Sequence, residues 1–309
     1  MIRYIMSHWR GEQSLGQSYW VNSVVVTLGM LGLIFVSTLI VGQLQTPAGI
    51  VAWFVGFYTL LFTVYVWQVM GTWRSANRYR SPTGSRAWAY VVYGLLVLGV
   101  LQTLPLVGDA VRQITDAVQM ATGTDRMSKF EVKVINPQDL RIEGYIAFGL
   151  PEQLTAMLAQ YPQVKFIHLH SLGGRAGPAQ DLIKIIQAKE LTTFAQERCL
   201  SICAYVFLAG KERIAKKTVA IGFHQTHAPG VAKRELSPIE GEFRKLVESR
   251  GASPAFVTKL FSTPPESLWT PTLRLLVDNG VVTTILEDKK LYMAKDFCRT
   301  RDCGSAVIK

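Results

Sequence analysis

Long apolar runs without charge are concentrated in the first third of the chain. They cover residues 20–43, 50–73 and 88–108, and none contains Asp, Glu, Lys or Arg. A helix needs about 20 apolar residues to cross the hydrocarbon core of a bilayer, and these runs lack the polar faces of helices in a soluble bundle. No small-residue cleavage pattern follows the first run. The pattern therefore predicts three retained transmembrane helices over residues 20–108.

Arginine is distributed unevenly around these runs. Arg3 and Arg10 precede the first run, four more arginines lie in the loop 74–87, and the connection 43–48 has no charge. Because cytoplasmic loops are enriched in basic residues, we expect residues 1–19 and the loop 74–87 to lie in the cytoplasm. The sequence thus predicts a multi-pass protein of the inner (cytoplasmic) membrane, with the lipid bilayer as a partner and a periplasmic or otherwise extracytoplasmic carboxy-terminal domain.

The formal net charge of the 309 residues is +11. Part of this excess comes from the first 87 residues, which hold six arginines and one acid, Glu12. The other basic residues are scattered and are not interleaved with aromatic residues along a groove. We therefore expect solvated surface and no nucleic-acid partner.

After the third run the pattern becomes amphipathic and then alternates. Residues 109–128 carry apolar side chains at helical spacing, which predicts a connector helix. Beyond it, short apolar runs at 129–135, 141–149, 164–171, 191–196 and 217–225 are separated by helical segments at 151–161, after 174 and from 202. Such alternation is typical of ββα and βαβ units around a parallel sheet. We therefore predict an α/β domain over residues 129–309.

Three segments that follow predicted strands carry residues suited to acyl chemistry. Ser201 lies where a strand gives way to a helix, so the amide of Ile202 and the positive helix end would face a developing oxyanion. Gly173 and Gly174 allow close backbone approach and can supply a second donor. His224 offers a base. Because open α/β sheets bind ligands at the carboxyl ends of their strands, we expect these segments to converge.

The same segments resemble the Clp-type serine peptidase of the crotonase-like superfamily, especially its membrane-associated and periplasmic relatives. "LHSLGG" is similar to a strand that ends in Asn-Ser-Pro-Gly-Gly, "CLSICAYVFLAG" to the nucleophile helix, and "IGFHQ" to the strand that ends in the catalytic histidine. "SLWTPTLRLLVDNGVV" resembles a late segment of the family. The resemblance covers roughly residues 143–282 and implies a ClpP/crotonase-like fold, with Ser201 as nucleophile and His224 as base.

One member of the family's catalytic set is missing from the pattern. The family usually places an Asp shortly before the late segment, and the corresponding stretch "KLFSTPPES" has none. Glu266 is the nearest acid, and the Thr263 hydroxyl is an alternative acceptor for the imidazole. A dyad without an acid and an inactive descendant also stay open. Because some relatives use a Ser-Lys dyad, three lysines are rival bases: Lys211, Lys216 and Lys217.

Each residue also has a structural interpretation without chemistry. Ser201 could serve only as a helix N-cap, and the two glycines only as a turn. His168 and His170 share one face of a strand, but no third ligand stands at suitable spacing, so we predict no metal and no other cofactor. His227 is expected on a surface loop.

All four cysteines lie beyond the apolar runs. An oxidising compartment would favour the local pairs Cys199 with Cys203 and Cys298 with Cys303, the first of which would clamp the turn around Ser201. Two buried free thiols in a packed helix are the alternative.

These patterns together favour a membrane-anchored serine hydrolase, an ATP-independent peptidase that acts on a peptide or protein substrate. The charged insert 226–254 lies where multimeric Clp peptidases build subunit contacts, so the resemblance implies a homo-oligomer or a cover for the cleft. A non-catalytic binding or scaffolding module is the main alternative. Acyl-thioester chemistry of the crotonase type is a third, which extracytoplasmic placement disfavours because coenzyme A is cytoplasmic.

Overall fold

The computed structural model describes residues 1–41, 46–80, 85–226 and 233–303. The chain forms two compact units, Met1–Thr122 and Gly123–Lys309.

The amino-terminal unit is helical. Its elements are α1 (Ile2–Trp9), a π-helix (Gln17–Val25) that continues into α2 (Val26–Val41), α3 (Pro47–Arg78) and α4 (Ala87–Thr122). Among the described residues, three helical segments are long and apolar enough to cross a membrane: Gln17–Ser37, Pro47–Arg78 and Ala87–Ser128. Thr46 caps α3 by accepting a hydrogen bond from the Gly49 amide, and Pro47 occupies the first turn, where its missing N–H costs nothing.

The third of these helices is longer than its apolar run. The sequence predicts a separate connector helix over 109–128, but α4 continues unbroken past Pro105 to Thr122, and a 3-10 turn (Arg126–Ser128) follows. The connector therefore consists of the last turns of α4. The change from an apolar to an amphipathic pattern marks the end of the apolar run. It does not mark a break in the helix, because the helical spacing continues across it.

A buried polar cluster joins α1, the π-helix and α3. His8 is fully buried and lies 3.3 Å from the Ser18 hydroxyl, which is 2.7 Å from the hydroxyl of Ser75. The ring packs against Gly71, where a Cβ would overlap it. Burial lowers the pKa of His8 below its usual value. These contacts fix α1 against the adjoining end of α3.

The carboxy-terminal unit is an α/β domain. Its strands are β1 (Phe130–Asn136), β2 (Asp139–Gly144), β3 (Phe166–Ser171), β4 (Thr192–Leu200), β5 (Arg213–Lys216), β6 (Ala220–Gly222), β7 (Thr284–Glu287) and β8 (Lys290–Met293). Its helices are α5 (Leu150–Gln160), α6 (Ala176–Ala188), α7 (Ile202–Leu208), α8 (Lys233–Ser249), α9 (Pro254–Ser262), α10 (Leu273–Asp278) and α11 (Ala294–Thr300).

Within the described residues, these strands form one sheet in the order β1-β2-β3-β4-β5-β7-β8, and β6 pairs with β4. The centre is parallel, as predicted from the alternation of strands and helices. The two edges are antiparallel hairpins, β1 with β2 and β7 with β8. The apolar runs in the sequence do not predict β5, β7 or β8, because each of these strands has only four residues.

The helix α7 forms the centre of the core. All seven of its residues are buried, and Tyr205 stacks on Phe243 of α8 with ring centroids 4.5 Å apart. A helix that is apolar on every side has to be covered on every side. The sequence "ICAYVFLAG" therefore fixes α7 beneath the sheet, and with it the residue that precedes the helix.

A buried arginine links β5 to the turn before β7. Arg213 is 6% exposed, and its guanidinium donates to the carbonyls of Gly210, Gly280 and Val281 at 2.9, 2.9 and 3.1 Å. Burial, and to a smaller extent the neighbouring Arg250, lowers the pKa of Arg213 to about 10. Because the planar guanidinium satisfies three carbonyls at once, the side chain holds two distant chain segments together.

We expect Arg213→Met to destabilise the carboxy-terminal unit by at least about 2 kcal/mol, since it leaves buried carbonyls without a donor. The matched control is Arg299→Met, which removes a side chain that is 78% exposed and pairs with Asp296. It should change the free energy of unfolding by no more than about 0.5 kcal/mol. Urea unfolding of the full chain in detergent, followed by pulse proteolysis, measures both values, and equal effects would contradict the role of Arg213.

Candidate active site

Ser201 connects β4 to α7 in a strained conformation. Its φ of 55° and ψ of −126° lie outside the regions that residues with a Cβ normally occupy. The Ser201 amide donates to the Gly222 carbonyl at 2.8 Å, and the Ser201 carbonyl accepts from the Ala204 amide at 3.0 Å. The hydroxyl does not cap α7, and it has no hydrogen-bond partner among the described residues. The half-buried hydroxyl is thus presented by the backbone and is not used in capping.

The glycine turn lies directly against this serine. A Cβ placed on Gly173 would stand 2.9 Å from the Cβ of Ser201 and 3.2 Å from its Oγ, and a Cβ on Gly174 would overlap the carbonyl of Ile146. Both glycines have positive φ, 125° and 150°. The structure therefore brings together the glycine pair and the serine, which lie 27 residues apart along the chain.

Two backbone amides beside this contact are free to donate. Neither Gly174 nor Ile202 has a hydrogen bond from its amide to any part of the chain that the structure describes. The Gly173 amide donates to the Ser171 hydroxyl at 3.2 Å, and the Gly173 carbonyl accepts from the Ile146 amide at 2.9 Å. Of the three predicted donors, Gly174 and Ile202 are thus free to donate to an oxyanion, whereas Gly173 shapes the turn.

His224 follows β6, the strand that pairs with the end of β4. Leu200, the residue before Ser201, pairs with Gly222 in this ladder. His224 follows Gly222 by two residues. Its Nδ1 is 2.7 Å from the Gln225 carbonyl oxygen. Because a carbonyl only accepts, Nδ1 carries the hydrogen, and Nε2 of the neutral ring has a free lone pair. Among the described residues, no hydrogen bond joins this ring to Ser201 Oγ.

The two residues predicted as the third catalytic member do not bond the imidazole. Glu266 is exposed and has no hydrogen bond or ion pair with a described residue. The Thr263 hydroxyl donates to the Lys259 carbonyl at 2.8 Å, while the Thr263 carbonyl accepts from the Gln225 amide at 2.9 Å. The acceptor for Nδ1–H is therefore a backbone carbonyl, and Thr263 supports it only through its main chain.

Sequence reasoning missed two side chains that hold the histidine segment. The Tyr205 hydroxyl donates to the His224 carbonyl at 3.4 Å, and the Thr226 hydroxyl donates to the Glu240 carboxylate at 3.2 Å. Burial, and to a smaller extent Glu240, raises the pKa of Tyr205. Spacing gives a signal for Tyr205, which lies one helical turn after Ser201. No signal marks Glu240, because its contact is tertiary.

A further missed contact supports the glycine turn. The Arg175 guanidinium pairs with the Asp125 carboxylate at 2.8 Å and donates to the Met127 carbonyl at 3.2 Å. The Arg175 amide donates to the Ile146 carbonyl at 2.7 Å. The segment that precedes β1 is thus tied to the residue that follows Gly174.

The structure contains both local disulfides, Cys199–Cys203 and Cys298–Cys303, each with Cα atoms 5.1 Å apart. Cys199 and Cys203 are fully buried and stand two residues before and two residues after Ser201. The first disulfide therefore spans the turn that carries the serine.

The remaining candidates have other partners or lie outside the described residues. His168 Nε2 is 2.7 Å from the Asp139 carboxylate, and His170 Nδ1 is 3.4 Å from that of Glu197. Lys211 and Lys217 form ion pairs with Glu190 and Glu287, and Lys216 is exposed. Among the described ranges, no three His, Cys, Asp or Glu side chains are grouped to hold a metal ion. His227 lies outside the described residues.

The chain is similar to a Clp-type protein of known structure, whereas no family model and no curated protein matches it. That protein is a mutant ClpP1 from Listeria monocytogenes, and its comparison with this chain gives 19% sequence identity and a TM-score of 0.42. The similarity covers 50% of this chain and 93% of that chain.

We expect Gly173→Ala to displace the Ser201 side chain, because the new Cβ would contact Ser201 Cβ and Oγ and a φ of 125° strains any residue with a Cβ. Reaction of the serine with a fluorophosphonate probe should fall at least about tenfold, which corresponds to about 1.4 kcal/mol. Gly177→Ala is the matched control, since its Cβ would meet nothing within 4 Å. Unchanged labelling of the Gly173→Ala variant would show that the glycine turn does not position Ser201.

Proposed function

We propose that the carboxy-terminal domain is a serine hydrolase of the Clp peptidase type that cleaves peptide bonds. The observation that carries this proposal is the contact between a strained, uncapped Ser201 and a glycine turn that leaves the Gly174 amide free to donate. Strained backbone at a residue with a free hydroxyl is a common property of active sites. The resemblance of the segments 170–174, 199–210 and 221–225 to the Clp-type motifs supports the same function.

In this mechanism Ser201 Oγ attacks the carbonyl carbon of the substrate, and its proton moves to Nε2 of His224. The carbonyl oxygen becomes negative and accepts hydrogen bonds from the amides of Gly174 and Ile202. The histidine then returns the proton to the leaving amine, and water releases the acyl group by the reverse sequence. Because no hydrogen bond joins Nε2 to Ser201 Oγ among the described residues, the His224 ring has to move to Oγ when substrate binds. Catalytic hydrogen bonds often tighten only around a bound substrate.

The missing carboxylate affects the rate of this reaction. The Gln225 carbonyl holds the Nδ1–H tautomer, which is one of the two tasks of the acid in a triad. The other task, stabilising the imidazolium that forms in the transition state, depends on negative charge, and a neutral carbonyl does this less well. We therefore infer a slower hydrolase than one with an Asp in this position.

The amino-terminal unit would anchor this hydrolase in the inner membrane. Its three long apolar helices and the arginines at residues 74–87 support a cytoplasmic amino terminus and an extracytoplasmic catalytic domain. A domain in that compartment has no ATP supply, so the peptidase would act on accessible peptides without an ATPase. We also propose that copies of the chain associate, with α8 as part of the contact surface.

A scaffolding module is the second candidate function. It is favoured by two observations: in the described residues no hydrogen bond joins Ser201 to His224, and the acceptor for the His224 Nδ1–H is a backbone carbonyl. Such a module would bind peptides at the same site without cleaving them.

A fluorophosphonate probe separates the two functions. We expect the purified full chain to be labelled, labelling to vanish in Ser201→Ala, and labelling to fall at least about a hundredfold in His224→Ala, as for loss of a general base. Ser262→Ala is the control, because it removes an exposed serine that lies outside the site and donates to the Lys259 carbonyl, and it should label normally. Absence of labelling in the oxidised wild-type chain would favour the scaffold.

The orientation has a separate test. We expect a phosphatase reporter fused after residue 303 to be active only as an extracytoplasmic domain, and a reporter in the loop 74–87 to be inactive, because the basic loop stays in the cytoplasm. The opposite pair of results would exclude the proposed compartment, whatever the activity of the domain.

A further inference from the structure

We propose that the Cys199–Cys203 disulfide is a positioning element for Ser201, so that the reactivity of the serine depends on the oxidation state of this bond. The inference rests on the proposed hydrolase function of the site. It adds a requirement that the two cysteines be joined while the serine reacts.

The backbone of Ser201 is strained. A φ of 55° with a ψ of −126° falls outside the left-handed helical region, which needs a positive ψ. A conformation of this kind persists only where the surrounding structure restrains it on both sides. The restraint therefore has to be found in the residues before and after the serine.

Two backbone hydrogen bonds supply part of that restraint. The Ser201 amide is held by the Gly222 carbonyl, and the Ser201 carbonyl by the Ala204 amide. Each bond fixes one peptide group, and neither connects the end of β4 to the helix across the turn. The serine side chain adds nothing, because its hydroxyl does not cap the helix.

The disulfide makes the missing connection. Cys199 is fixed in the sheet by pairing with Ser171 of β3 on one side and Ile221 of β6 on the other. Cys203 is fixed in the fully buried helix α7. The bond thus joins two rigid elements through a ring of five residues with Ser201 at its centre. It limits how far the strand and the helix can separate, and hence how far φ and ψ of the serine can relax.

Reduction removes this limit. Dithiothreitol transfers two electrons and two protons to the disulfide, which becomes two thiols, while the dithiol closes to a cyclic disulfide. The backbone of residues 200–202 can then move toward an unstrained conformation and carry Oγ away from the glycine turn. Because both sulfurs are buried, reduction requires local opening of the turn and is expected to be slow.

The second disulfide provides a matched control within the same domain. Cys298 and Cys303 are also buried, with the same Cα separation and a ring of six residues. They lie at the end of α11, where the Arg274 amide donates to the Cys303 carbonyl. Removing this pair deletes the same type of bond without touching the serine turn.

The experiment compares the oxidised full chain with Cys199→Ala/Cys203→Ala and Cys298→Ala/Cys303→Ala in detergent, with and without dithiothreitol. Labelling by a fluorophosphonate is measured over a range of probe concentrations, which separates the maximal rate from the half-saturating concentration. We expect dithiothreitol to lower the maximal rate at least tenfold in the wild type and in Cys298→Ala/Cys303→Ala. The variant Cys199→Ala/Cys203→Ala should be equally slow in both conditions. The half-saturating concentration should stay within twofold, and reoxidation should restore the wild-type rate.

A role in stability alone gives a different result. In that case the labelling rate would fall only in proportion to the folded fraction of the protein. All rates are therefore measured well below the midpoint of thermal unfolding of each variant, where the folded fraction is the same. The proposal is overturned if Cys199→Ala/Cys203→Ala is labelled at the wild-type rate. It is also overturned if Cys298→Ala/Cys303→Ala no longer responds to dithiothreitol.

Hydrogen exchange distinguishes failure of this proposal from failure of the proposed function. If the oxidised wild type is not labelled, the hydrolase function fails, and the positioning role is read from deuterium uptake over residues 199–208. Faster uptake confined to this segment in Cys199→Ala/Cys203→Ala supports the positioning role. Unchanged uptake overturns it, with or without activity.

Discussion

The site depends on one hydrogen bond, from the Ser201 amide to the Gly222 carbonyl at 2.8 Å. This bond is the last rung of the pairing between β4 and β6, and it sets the two chain segments side by side where the strands end. It can form because β4 changes partner along its length. Residues 193–195 pair with β5, and residues 198–200 pair with β6 after an irregularity opposite Leu169 and Ser171. The same irregularity brings Cys199 opposite Ser171, next to the glycine turn.

Charge decides how far this arrangement can act as a triad. The imidazole is oriented by the Gln225 carbonyl, which is itself held by the Thr263 carbonyl through the Gln225 amide. Orientation and tautomer are thus set by backbone groups, which are rigid but neutral. The Glu240 carboxylate contacts this segment at Thr226, two residues from the histidine, and not at the imidazole. In the proposed mechanism, stabilisation of a His224 imidazolium would therefore be weak, whereas positioning of the ring would be strong.

Much of this structure is predictable from the sequence because its signals are local and repetitive. The three long helices follow from uncharged runs, and the parallel centre of the sheet follows from the alternation of strands and helices. The end of the connector, the strands β5, β7 and β8 and the antiparallel edges do not follow, since short strands depend on pairing and not on pattern. In the site, the serine and glycine positions carry sequence signals. The group that accepts the hydrogen bond from His224 Nδ1–H carries none, because any residue at position 225 has a backbone carbonyl. In the structure the Gln225 carbonyl bonds Nδ1, and the Thr263 hydroxyl bonds the Lys259 carbonyl instead.

The magnitudes indicate why a disulfide is suited to this turn. Strain at a residue such as Ser201 costs on the order of 1–3 kcal/mol. In the chain-entropy model, closing a ring of five residues removes about 2 kcal/mol of freedom from the unfolded chain. The two values are of the same size, so the covalent bond can offset the strain that the hydrogen bonds around the serine leave uncompensated. The ring formed by Cys298 and Cys303 contributes a similar amount, but it encloses no strained residue. The two bonds are therefore alike in their contribution to folding and different in what they hold in place.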